Sequence, residues 1–115
     1  MKSYDIVVIG GGPSGASAAL FLEKKGYRVA LLDQAVFPRD KVCGEFISPA
    51  ADDIFSDLGI LESIEAMNPT RLCGVALSAY ERSYLQVDYP DTVDGRTMTS
   101  LSVERSILDD LMINQ

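Results

Sequence analysis

Residues Ile6-Val7-Val8-Ile9 form a continuous apolar run without alternation, the pattern of a parallel strand buried on both faces. A helical stretch follows from Pro13 to Lys24 and Lys25. Pro13 suits a first helical position, the two lysines face the negative end of the dipole, and Gly26 suits the position just past the end. Val29-Ala30-Leu31-Leu32 is a second apolar run, closed by Asp33. From Gln34 to Ile47 the pattern has neither a period of 2 nor of 3.6, and Pro38 and Gly44 punctuate it, so the segment reads as a loop. Ser48-Pro49 then reads as N-cap and first position of a helix whose stripe is Ile54, Phe55 and Leu58, with Gly59 at its end. A shorter helical piece runs from Leu61 to Met67. From Gly74 the period becomes 2. Val75, Leu77 and Ala79, then Leu85, Val87 and Tyr89, predict an antiparallel hairpin with one wet face. Pro90 to Gly95 is a turn cluster, and Thr97 to Leu101 predicts a short strand. Ser102 is the expected cap of a last helix carrying Val103, Ile107, Leu108, Leu111 and Met112.

The glycines between the first strand and helix change the picture from fold to chemistry. Gly10, Gly12 and Gly15 form G-x-G-x-x-G. Such a turn lets the chain leave the strand sharply, brings backbone up to a pyrophosphate, and packs the helix close to the strand. The helix's free N–H groups then meet the anion. Asp33, at the tip of the second strand, lies where an acid can accept hydrogen bonds from ribose hydroxyls. The alternative is a glycine-rich turn in another kind of α/β protein with a surface Asp. Strand, glycines, helix, second strand and acid in that order favour a dinucleotide site.

The long loop is functional or a solvated connector; composition alone favours neither. In it Arg39 and Lys41 bring cations near the expected ligand, and Phe37, Val42 and Phe46 could anchor it. Arg105 and Asp109, four apart on the last helix, read as an exposed ion pair worth a few tenths of a kcal/mol.

Composition adds exclusions. The 115 residues carry a formal charge of −7, which argues against nucleic acid or an anionic membrane surface as a general partner. There is no His, so the commonest metal ligand and the usual near-neutral base are missing, and no metal site is expected. Cys43 and Cys73 make no redox or zinc pattern, and a reduced, cytoplasmic setting is the simplest reading. Asp5 and the glycine-proline segment break any signal peptide, and no run approaches the roughly 20 apolar residues of a transmembrane segment.

Asp5-Ile-Val-Val-Ile-Gly-Gly-Gly-Pro-Ser-Gly, Leu32-Asp33, the loop Phe37-Pro-Arg-Asp-Lys-Val-Cys-Gly-Glu45 and Arg105-x-x-Leu108-Asp109 together resemble a known family. They are similar to the N-terminal part of the FAD-dependent oxidoreductases related to p-hydroxybenzoate hydroxylase, most of all the branch of geranylgeranyl reductases and flavin-dependent halogenases. The resemblance implies an α/β fold: the βαβ start of a Rossmann-like FAD-binding fold, then the start of an antiparallel substrate-domain sheet. Residues 1–70 would be the FAD region with its loop and helices, 71–101 the hairpin and short strand, and 102–115 a helix returning to the FAD region. It further implies that Gly10, Gly12, Pro13, Ser14 and Gly15 hold the FAD pyrophosphate and that Asp33, with Gln34 beside it, meets the adenosine ribose. Arg39 and the Lys41 to Gly44 segment, Cys43 included, would approach the phosphates or the flavin. Arg105 would reach the FAD from its helix. Cys43 as a small buried hydrophobe is the alternative. No catalytic residue is assigned.

The leading expectation is the FAD-binding portion of an oxidoreductase, acting as a reductase of isoprenoid-like double bonds or as a monooxygenase. NAD(P)H is a candidate electron donor, and the substrate a small isoprenoid or aromatic molecule. An NAD-binding dehydrogenase fragment is the second reading, because the glycine motif and acid serve both cofactors. The third is a truncated, inactive nucleotide-fold module that self-associates through uncovered sheet edges. Families of this kind are several hundred residues long, so the chain reads as an N-terminal fragment, inactive alone.

Overall fold

The computed structural model describes residues 2–80 and 82–115. Strand β1 (Ile6–Ile9) pairs in parallel with β2 (Val29–Leu32), Ile6 opposite Val29 and Ile9 opposite Leu32. Helix α1 (Pro13–Lys24) crosses between them with Pro13 in its first turn. It ends as expected: Gly26 is left-handed at φ 91°, and the Tyr27 N–H reaches the Leu22 carbonyl. One expectation fails here. Only the α1 side of β1 is covered, where Ile6 and Val8 are half-buried, while Val7 and Ile9 on the other face are exposed. An unbroken apolar run does report a strand with two apolar faces, but among the described residues nothing covers the second face.

The loop is interrupted where it was expected to continue. Phe46–Ile47 is a strand, β3, and α2 begins only at Ala51 (Ala51–Leu58). Ser48-Pro49 does not cap it. The Ser48 and Pro49 carbonyls instead accept from Ala51 and Asp52, so a backbone turn leads into the helix. Gly59, left-handed at φ 77°, ends α2, and α3 (Leu61–Glu65) follows. Strand β4 (Thr70–Leu72) was not foreseen. The hairpin was: β5 (Gly74–Ala79) pairs with β6 (Ser83–Asp88), Val75 opposite Val87 and Leu77 opposite Leu85. Its expected dry face is exposed at all four of those residues. The hairpin makes the molecule long, 63 Å by 34 Å by 22 Å. The radius of gyration is 17.0 Å, against about 13 Å for a compact domain of this size.

The turn cluster after the hairpin contains a second, smaller one, β7 (Thr92–Val93) with β8 (Arg96–Thr97). The expected strand over 97–101 is displaced to β9 (Ser100–Ser102). It is the middle strand of a three-stranded antiparallel sheet, between β3 and β4. Ser102 therefore belongs to a strand rather than capping the last helix. Helix α4 (Arg105–Ile113) starts after Glu104, with no side-chain cap. The divisions drawn at 70/71 and 101/102 fall inside β4 and β9.

The core is where α1 through α4 meet β9: Ala16, Phe55, Leu58, Ile60, Ile64, Leu101, Leu108 and Met112 are buried together. Arg71 ties this layer at its rim, donating to Asp52 at 2.7 Å, to Thr99 at 3.3 Å and to Glu65. Among the described residues no helix is long and apolar enough to cross a membrane.

Candidate functional site

The turn from β1 into α1 is built as tightly as the glycine spacing requires. A Cβ on Gly15 would stand 1.8 Å from the Gly10 carbonyl oxygen, so α1 can lie this close to the strand only with glycine there. Gly10 itself is at φ 106°, a conformation open to glycine and strained for other residues. Gly11 is buried: a Cβ there would lie 2.8 Å from Ile113 of α4 and 3.1 Å from the Phe37 ring. Its N–H donates to Asp33 Oδ2 at 2.7 Å. The first bond of α1 runs from the Ala16 N–H to the Gly12 carbonyl. The N–H groups of Ser14 and Gly15 precede it and have no intrahelical carbonyl to reach.

Asp33 lines a cleft of about 550 Å³ together with Ile9, Gly10, Leu32, Gln34, Ala35, Arg39, Asp40 and Lys41. Five of the expected site residues, Gly10, Asp33, Gln34, Arg39 and Lys41, thus line one cleft. The Asp33 carboxyl is held below the usual carboxylate range, first by the Ala35 N–H and then by that of Gly11. It caps its own turn, with Ala35 N–H at 2.8 Å, and each oxygen retains a second lone pair.

A second group forms on the helix side. A Cβ on Gly12 would be 3.5 Å from Arg105 Nη2 and 3.9 Å from Arg39 Nη2. Two guanidinium groups from distant parts of the chain therefore converge on the glycine that opens α1. Asp109 stands behind them with its side chain fully buried. Arg105 grips it in bidentate fashion, Nε and Nη2 each at 2.9 Å, and Arg39 Nη1 lies 3.1 Å from Oδ2. The exposed surface ion pair expected of Arg105 and Asp109 is thus corrected. Asp109 faces inward because α4 packs on α1, and it makes an interior triad with a residue 70 positions earlier. The Arg105 guanidinium is raised above its ordinary value, chiefly by its hydrogen bonds to Asp109.

Phe37 anchors the loop as expected: its ring lies against Gly11 and carries the Arg39 guanidinium 4.7 Å above its centroid. Val42 does not, being fully exposed, and Phe46 is half-exposed in β3. Cys43 is exposed rather than a small core residue. Its thiol is shifted down by the Glu45 N–H, which donates at 3.4 Å, and then by Arg105. Its cationic neighbour is Arg105 of α4. Around Gly44 there is open space. Among the described residues no cluster of His, Cys, Asp and Glu could hold a metal.

The geometry thus offers an anion cradle at a helix N-terminus beside an acid-rimmed cleft. The family described as FAD binding domain matches residues 3–113. The chain belongs to this family. It is an FAD-binding domain of the kind found in flavin-dependent oxidoreductases, and the match lends no support to the NAD-binding alternative. The chain is 43% identical over 61 residues to conditioned medium factor receptor 1 of Dictyostelium discoideum, covering 53% of this chain and 12% of that protein. It is 34% identical over 106 residues to menaquinone reductase of Mycolicibacterium smegmatis, covering 92% of this chain and 25% of the reductase. Among solved structures, the myxobacterial chondrochloren halogenase, an FAD-dependent halogenase, superposes with a TM-score of 0.85 at 29% identity. That match covers 96% of this chain and 26% of the halogenase. The chain therefore spans about a quarter or less of the length of these proteins.

The residues present fit the group the family implies. A pyrophosphate needs small residues, free N–H groups and cations together, and Gly12, the start of α1, Arg39 and Arg105 supply them. Asp109 is the residue that the sequence reading missed. Its signal was an acid set among Leu108, Leu111 and Met112 on the apolar side of α4.

Proposed function

We propose that this chain binds and orients FAD for a flavin-dependent oxidoreductase, and that the whole protein is a reductase of isoprenoid-like double bonds. The convergence of Arg39 and Arg105 on Gly12 carries the binding part of this reading. The FAD pyrophosphate sits against Gly10, Gly12, Pro13, Ser14 and Gly15. The two guanidiniums face it from the loop and from α4. Asp33 and Gln34 meet the adenosine ribose in the cleft, and Lys41 stands at its rim. Cys43 and Gly44 lie on the side toward the flavin ring.

Flavin, when bound, supplies the electron transfer to or from substrate. The chain's own part is to fix it: N–H donors and two cations hold the phosphates, and the Asp33 carboxylate holds the ribose. The likeness to menaquinone reductase over nearly the whole chain supports the reductase reading. A monooxygenase- or halogenase-type reaction is the second reading, favoured by the superposition on chondrochloren halogenase. NAD(P)H is the electron donor in either case, and two free cysteines support a reducing, cytoplasmic setting.

The test is spectroscopic. The purified full-length protein should carry or take up FAD with a flavin absorbance spectrum, and NADPH should bleach it under anaerobic conditions. Reoxidation coupled to saturation of an added isoprenoid would support the reductase reading. Oxygen-dependent hydroxylation or halogenation would support the second. Absence of any flavin binding refutes both.

A further inference from the structure

We propose that Asp109 is the positioning residue of the cradle: its single carboxylate sets where both guanidinium groups stand before any anion arrives. The proposal rests on the FAD reading above.

Two long cationic side chains brought side by side repel each other and carry large rotamer freedom. Asp109 removes both difficulties at once. Its side chain is fully buried, so its charge is compensated within the protein or not at all. Arg105 closes a two-pronged hydrogen bond on it, which fixes the plane of that guanidinium. Arg39 is held from two sides, by Asp109 Oδ2 at 3.1 Å and by the face of Phe37. Its Nη1 is buried and near the carboxylate, yet no acceptor is aligned with it. Nη1 thus faces the carboxylate, while Nη2, the other prong of the same guanidinium, is the one that lies toward Gly12. The arrangement leaves two cations and one anion, a net charge of +1 next to the free N–H groups of α1.

Charge and position pull in opposite directions here, which makes the proposal sharp. If only charge mattered, removing the Asp109 carboxylate would strengthen phosphate binding. If position matters more, removal loosens both arginines and weakens it.

FAD and riboflavin, which lacks the phosphates, are titrated into the full-length protein by flavin fluorescence. Asp109→Asn is expected to weaken FAD at least tenfold and to change riboflavin affinity less than twofold. Asp109→Glu keeps the charge and moves the carboxylate by one methylene, so it carries the same test if the first variant fails to fold. Unchanged or tighter FAD binding overturns the proposal, as does an equal loss for both flavins. A ligand-free readout separates this from the FAD reading itself. Phenylglyoxal labelling of Arg39 and Arg105, mapped by mass spectrometry, should quicken in the variants. Wild-type protein that binds no FAD while labelling quickens sinks the FAD reading and keeps the positioning role. Labelling that does not quicken overturns the positioning role.

Discussion

Gly15 and Gly12 lie three residues apart in one turn, and the structure assigns them opposite sensitivities. In Gly15→Ala the new methyl carbon would begin 1.8 Å from the Gly10 oxygen and 3.0 Å from its carbonyl carbon. Ordinary contact is about 3.5 Å, so α1 and the strand end must separate by more than 1.5 Å. Overpacking of this kind costs about 1–3 kcal/mol. The helix-propensity gain of alanine over glycine returns at most about 1 kcal/mol. Because the obstacle is backbone, no side chain can swing away, and the net loss is expected near the upper end, about 2 kcal/mol. At Gly12 the same methyl group meets Arg105 at 3.5 Å and Arg39 at 3.9 Å, which is normal contact. Gly12 is also the N-cap of α1, where alanine in place of glycine costs roughly half a kcal/mol. Gly12→Ala should therefore fold almost normally while filling the space between backbone and guanidiniums that an anion needs. Gly12→Val fills more of it and should abolish FAD binding. Urea unfolding and flavin titration on the same three full-length proteins check both axes. A Gly15→Ala protein as stable as wild type refutes the packing argument. A Gly12→Val protein with wild-type FAD affinity refutes the site.

Asp33→Ala should weaken FAD by about 1.5–3 kcal/mol, the range for a hydrogen bond to a charged group; calorimetry showing an unchanged dissociation constant would reduce Asp33 to a turn cap. The Asp5 carboxyl is held down to about 2 by the Arg28 guanidinium and then by its backbone N–H. A lowered carboxyl contributes stability above its unfolded value near 3.9 and loses it as pH falls toward 2. The urea-midpoint gap between wild type and Asp5→Asn should thus be full at pH 6 and shrink by pH 2.5, and a constant gap would show the Asp5–Arg28 pair to be idle. Cys43 and Cys73 are both exposed, and the Cys43 thiol is lowered by the Glu45 N–H and by Arg105. Cys43 should react faster with a disulfide reagent and be slowed by bound FAD; equal rates for the two, or no effect of FAD, would place Cys43 away from the cofactor.

What the sequence made legible was local. The β1–α1–β2 unit is specified by apolar runs, one proline and glycines within 30 residues, and each signal acts on its immediate neighbours. Strands β3 and β4 escaped, and β9 was placed too early, because two or three residues carry no period. Phe46 and Thr70 become strand residues only by flanking Ser102, which lies 56 and 32 positions further on. The same long-range pairing overrode a local rule: Ser102 has the chemistry of a cap, yet its backbone bonds are taken by two neighbouring strands.

The site divides along the same line. Glycine turn and Asp33 were readable because turn geometry and strand tip lie close in sequence. The cradle was not, because its two arginines are 66 positions apart and meet only through Asp109. A spacing of four on a helix identifies a possible ion pair but says nothing of which way that helix faces. Here the face is decided by Leu108 and Met112, which bury against α1 and draw Asp109 in between them. A buried acid survives such a place only with cations beside it. The packing that hides Asp109 therefore also dictates that Arg39 and Arg105 come together at Gly12.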